Sequence, residues 1–145
     1  MLTLPISGDD LVRLIPQKPP FVLISTLHEM KDNRCITSFR FDAGHVLCDN
    51  GALNFAGLME NIAQTSGCFI GYENFLKGVM NKVGFIGEVR DFVFSRLPLA
   101  GEELTTEVIM EKKVFDVSII SALIRVNGIG IASCKMKIFV EPEKD

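Results

Sequence analysis

Hydrophobic and polar positions divide the chain into one long helical stretch and a series of strands. From residue 55 to 74, Leu58, Met59, Ile62, Phe69 and Ile70 recur at helical spacing behind Asn54, a candidate N-cap. Gly57, Ala63, Gly67 and Gly71 form a lane of small residues in the same stretch. A glycine inside a helix costs about 1 kcal/mol relative to alanine, so the lane predicts that something packs closely against it. The stretch is apolar nearly all round, which predicts burial rather than a surface position.

Ahead of it, Ser7 is a plausible N-cap for a short helix whose apolar residues are Leu11, Val12, Leu14 and Ile15, stopped by Pro16. Lys18-Pro19-Pro20 reads as extended, because residues before proline avoid the helical region. Phe21 to Met30 reads as a strand, Lys31-Asp32-Asn33 as a turn, and Arg34 to Phe41 as a second strand with Cys35, Thr37, Phe39 and Phe41 on one side. Residues 42–51 read as an irregular loop. After the long helix come four strands: Val83 to Arg96, a stretch marked by Leu104, Val108 and Met110, Asp116 to Val126, and Gly130 to Val140. Asn127-Gly128 is a hairpin signal because both central positions need positive φ. Glu141 to Asp145 reads as a solvated tail. This order predicts a single α+β domain over residues 1–145, a curved, mostly antiparallel sheet wrapped round one central helix. Such a sheet has open edges, which a second copy can cover, so a homodimer or larger homo-oligomer is expected.

Composition narrows the function. The net charge is -3, and no basic run is interleaved with aromatics, so nucleic-acid binding has little support. The stretch around Phe55 to Tyr72 is interrupted by Glu60, Asn61 and Gln64, which argues against a membrane span. The first residues lack the marks of a signal peptide, so a cytoplasmic protein is expected. Cys35, Cys48, Cys68 and Cys134 are widely spaced, so reduced core thiols are expected. No phosphate loop, metal motif or Ser-His-Asp pattern appears, and neither a cofactor nor a metal is expected.

Two stretches carry a family resemblance. Ile15 to Ile24, IPQKPPFVLI, resembles the segment of the 3-hydroxyacyl-[acyl carrier protein] dehydratases that leads into their first strand; there a histidine stands where this chain has Gln17. Gly57 to Gly67, GLMENIAQTSG, resembles their central helix, with Glu60 in the acidic position and Ala63-Gln64 in the alanine-glutamine pair. A weaker likeness runs from Val83 through Arg96 to Gly101-Glu102. The resemblance implies a hot-dog fold. The forms PQKPP and ENIAQTSG look closest to a dehydratase-like branch associated with polyene pigment synthesis, so fatty acid or polyene synthesis is the implied setting.

The implied reaction removes water from a 3-hydroxyacyl thioester. It assigns the base to the histidine and the acid to the helix carboxyl, from different protomers of a dimer. Glu60 fits the acid. Gln17 cannot be a general base, since a carboxamide does not titrate near neutrality, but it can hold a carbonyl, a hydroxyl or a water. Gln64, one turn after Glu60, orients it or bonds the backbone. The oxyanion role falls to backbone N–H groups at the start of the helix, near Phe55, Ala56 and Gly57, where free donors and the helix dipole favour negative charge. Phe21, Phe85 and Phe92 are candidate liners of an acyl tunnel. Acyl carrier protein or coenzyme A thioesters would enter past basic residues such as Lys18 or Arg96. His45 resembles the family's second, non-catalytic histidine; His28 reads as a surface residue. The loss of the base keeps two alternatives open: a non-catalytic hot-dog subunit paired with an active paralogue, or an acyl thioesterase whose helix carboxylate activates water.

Overall fold

The computed structural model describes residues 3–79 and 84–140. Ile6–Ser7 (β1) leads into the short helix Gly8–Val12 (α1), and Thr26–Lys31 (β2) and Arg34–Arg40 (β3) form a hairpin. Two short strands, Cys48–Asp49 (β4) and Ala52–Leu53 (β5), pair within the loop before the long helix Phe55–Leu76 (α2). Gly84–Phe94 (β6), Glu103–Val114 (β7), Val117–Val126 (β8) and Ile129–Val140 (β9) complete the described chain. Val83 and the tail from Glu141 lie outside the described residues.

Seven strands form one sheet in the order β1-β2-β3-β7-β8-β9-β6, every pair antiparallel. The register shifts within several pairs, at Leu27/Glu29, Ile86/Glu88 and Met110/Lys112 among others; such bulges bend a strand and raise its twist. Alternation decides which face is inward. On β8, Ser118, Ile120, Ala122, Ile124 and Val126 are buried and the residues between them are not. On β3 the predicted set Cys35, Thr37, Phe39 is buried, with Phe41 just beyond the strand. The β8–β9 turn is made by Asn127 and Gly128, with φ of 52° and 77°, as the hairpin signal requires.

Helix α2 lies against β3 and β7. Leu58 and Ile62 join Phe39, Leu104, Val108 and Ile120 in the main core, while Cys68 and Phe69 join Leu11, Ile15 and Leu27 in a second. Asn54 caps the helix, its side chain accepting from Gly57 N–H at 2.9 Å. The lane of small residues has the close neighbour it predicts. A Cβ at Gly71 would collide with the backbone carbonyl of Leu14, so the chain leaving α1 is laid directly on the helix.

Two of the local expectations that fail lie between α1 and β2. Lys18-Pro19-Pro20 is not extended: Lys18 O accepts from Phe21 N–H at 2.9 Å, closing a turn in which the Pro19–Pro20 peptide is cis. Residues 21–25 are not strand, and β2 begins only at Thr26. Their β-forming side chains suit a sheet, but backbone groups of Phe21, Val22 and Leu23 are taken by side chains instead. Gln64 and Asn61 of α2 reach Phe21 and Leu23, and His45 reaches Val22.

Candidate active site

The segment leaving α1 meets α2 and the start of β6 around a cavity of about 230 Å³. Pro16 and Gln17 form one wall. Glu60, Ala63, Gly67 and Ile70, a single stripe of α2 at helical spacing, form another. Phe85 and Ile86 of β6 close the third side. Gln17 and Glu60 of one chain thus face a common space, whereas the family resemblance places the corresponding pair across two protomers.

Glu60 is half-buried, and its Oε1 accepts from Gln64 Nε2 at 2.9 Å. The same Nε2 donates to Phe21 O at 2.8 Å, and Gln64 Oε1 accepts from Leu23 N–H at 2.7 Å. Gln64 is fully buried and uses both faces of its amide, so it fixes Glu60 and the 21–23 segment together. Gln17 Oε1 is buried with no hydrogen-bond partner among the described residues. Buried acceptors are nearly always paired, so this oxygen, on a residue lining the cavity, lacks a donor that a ligand or water would supply.

The remaining expected residues sit elsewhere. Phe55 and Ala56 are exposed at the head of α2, and the Phe55 ring packs at a tilt against Phe92, centroids 4.7 Å apart, and edge-on against Phe94 at 5.9 Å, away from the cavity walls. Gly57 N–H is occupied by the Asn54 cap, which removes it as an oxyanion donor in this arrangement. Phe21 is exposed and contributes only its carbonyl. Arg96 forms a two-pronged ion pair with Glu102, at 2.8 and 3.0 Å, and Glu102 also accepts from Leu99 N–H. Those bonds, the Arg96 guanidinium first, pull the Glu102 carboxyl down to about 2. Arg96 is therefore committed to holding the β6–β7 turn. Among the described residues Lys18 Nζ reaches only Val12 O, at 3.5 Å.

His45 is not placed to act as a base. Its Nδ1 accepts from Leu47 N–H at 3.1 Å, which leaves the proton on Nε2, 3.3 Å from Val22 O. His28 is exposed, 2.6 Å from Ser38 Oγ. Cys35, Cys68 and Cys134 are buried free thiols, and Cys48 is half-buried. Burial pushes the Cys68 thiol up to about 12 and that of Cys134 to about 11, so neither is a nucleophile. Among the described residues no group of three or more metal-binding side chains converges, and no helix is long and apolar enough to cross a membrane.

Asn61 escaped the sequence reading. It is fully buried, donates to Leu23 O at 2.8 Å and accepts from Thr106 Oγ1 at 2.6 Å. Its only signal in the sequence was a polar residue beside Glu60 in an apolar helix.

A bent antiparallel sheet about one long helix, with a carboxyl on that helix facing a cavity, defines a hot-dog protein of the dehydratase-like kind. Residues 10–145 match the family described as ApeP-like, ApeP dehydratase, and the chain belongs to that family. No curated protein sequence matches it. Among solved structures it is similar to the dehydratase heterocomplex ApeI:P from Xenorhabdus doucetiae, with a TM-score of 0.80 and 18% identity over 99% of this chain and 94% of that one. It also resembles a hypothetical thioesterase from Streptococcus pneumoniae TIGR4 solved with coenzyme A (TM-score 0.64, 12% identity, 82% and 90% covered). A Streptococcus mutans UA159 protein bound to acetyl-CoA is alike to a similar degree (TM-score 0.64, 10% identity, 82% and 90% covered).

Proposed function

We propose that this chain binds 3-hydroxyacyl thioesters in the cavity between Gln17 and Glu60 and dehydrates them, with Glu60 as the acid–base group among the described residues that line it. The observation that carries this reading is the pairing of a carboxyl pinned by Gln64 with an unpartnered carboxamide oxygen on the facing wall. The Glu60 carboxylate takes the proton α to the thioester carbonyl. The same carboxyl, now protonated, returns it to the 3-hydroxyl as the carbon–oxygen bond breaks, so water leaves and a carbon–carbon double bond forms. Gln17 Oε1 accepts from the 3-hydroxyl and holds it toward Glu60. The carrier is acyl carrier protein or coenzyme A, and the setting is fatty acid or polyene synthesis in the cytoplasm.

A second reading rests on Gln17 itself. One carboxyl must serve as both base and acid here, a slower arrangement than a histidine–carboxyl pair, so the chain would instead serve as the weaker or silent half of an assembly. The dehydratase heterocomplex among its structural relatives supports a hot-dog partner of that kind.

The test is an assay of the purified protein with 3-hydroxyacyl and saturated acyl thioesters side by side. Wild type forms the enoyl product slowly, and Glu60→Gln forms none. Gln17→His raises the rate by about 10²–10⁴, the usual contribution of a placed general base. Thiol release from saturated acyl thioesters without enoyl formation would replace this reading with a thioesterase. An inactive wild type restored by Gln17→His would favour the silent-subunit reading.

A further inference from the structure

Among the described residues, the cavity at Glu60 is followed along α2 by a second. A second space of about 290 Å³ lies toward the C-terminal end of the helix, between Glu73, Asn74 and Lys77 on one side and Val140 and the β7–β8 turn on the other. Ile70 is a wall of both cavities. The helical stripe that lines the first, Glu60, Ala63, Gly67 and Ile70, continues directly into the residues that line the second. On the sheet side Ile138 of β9 borders the first cavity and Val140, two residues on along the same face, borders the second. From Glu60 to Ile70 is ten residues of helix, about 15 Å at the α-helical rise.

We infer that Ile70 is a specificity-determining residue: its side chain is the partition that ends the acyl channel and so limits the length of chain accepted. The inference rests on the thioester reading above. The first cavity is small beside ordinary ligand pockets, which run from about 300 to 1,000 Å³. With Ile70 in place, a chain whose thioester lies at Glu60 ends against that side chain. With the partition removed the two spaces join into one of more than twice the volume. Beyond Ile70 the second space is bordered by the apolar side chains of Val140 and Phe115 and by the charged groups Glu73 and Lys77 on α2 and Lys113 and Asp116 at the β7–β8 turn.

The experiment measures equilibrium binding of a homologous series of straight-chain acyl-CoA thioesters to wild type, Ile70→Ala, Ile70→Val and Ile70→Phe. In wild type, each added methylene tightens binding by about fourfold until the chain reaches Ile70, after which affinity levels off. Ile70→Ala moves that levelling point to longer chains and Ile70→Phe to shorter ones. Ile70→Val shifts it slightly the same way as alanine and serves if the larger truncation does not fold. A levelling point unmoved by any of the substitutions sinks the inference alone. Wild type that binds no member of the series sinks the thioester reading and this inference with it.

Discussion

Both faces of the Gln64 amide are engaged: it accepts from Leu23 N–H and donates to Phe21 O and to Glu60. Replacing it leaves the buried Leu23 N–H and the part-buried Phe21 carbonyl unpaired, and a buried unpaired group costs about 1–3 kcal/mol. Gln64→Leu is therefore expected to lower unfolding free energy by about 3 kcal/mol in urea denaturation, and to lose enoyl formation at temperatures where the variant is still folded. Glu60 and Gln64 were legible in the sequence because residues four apart share a helix face. The partners of Gln64 were not, since they lie 41 and 43 residues away, in a segment whose β-forming side chains pointed to a strand. Asn61 was hidden for the same reason: its meaning is set by Leu23 and Thr106, both remote in sequence.

The glycine lane of α2 separates two effects at the scale of an element. At Gly71 a Cβ would strike the Leu14 carbonyl, a backbone atom that cannot turn aside, whereas at Gly67 the nearest atom is a methyl of Ile15 at 4.0 Å. Gly71→Ala should thus destabilise by about 1–3 kcal/mol, the usual cost of overfilling a packed contact. Gly67→Ala should be neutral or stabilising by up to about 1 kcal/mol, from helix propensity. Thermal unfolding of the pair checks both signs. That something lies close on this lane could be read from composition, because glycines in a helix need a reason. Which segment lies there could not, since the approach of Leu14 depends on how α1 returns across the helix. The helix itself, the four strands after it and the Asn127-Gly128 hairpin were legible because period and turn chemistry are local properties. The turn at Pro19–Pro20 was misread because the rule about residues before proline describes single residues, not a closed turn.

At the scale of the molecule, the two ends of the sheet differ. β1 is two residues long, while β6 is eleven and, among the described residues, pairs on one side only, with β9. Phe85, Ile86, Val93 and Phe94 are exposed along it. A long apolar edge of this kind is a template for pairing with another chain. The protein is expected to self-associate in solution, or to associate with a related hot-dog subunit when one is present. Val93→Lys with Phe94→Lys should weaken that association at least about tenfold, or about 1.4 kcal/mol, in sedimentation or light-scattering titrations. An unchanged association would move the interface away from β6. The open edge was foreseeable from strand order; the strand that forms it was not, because pairing order in a sheet is decided by contacts across the whole chain.

The grip of α2 on residues 21–23 limits how the site can breathe. The strap that bears Gln17 is fastened through Phe21 and Leu23 to the same glutamine that steadies Glu60. Lifting the strap off the helix breaks its two bonds to Gln64 and leaves that side chain tied to Glu60 alone, one turn away on the same helix. A widened mouth therefore comes with a glutamine, and through it a carboxyl, held less firmly than when the strap is seated.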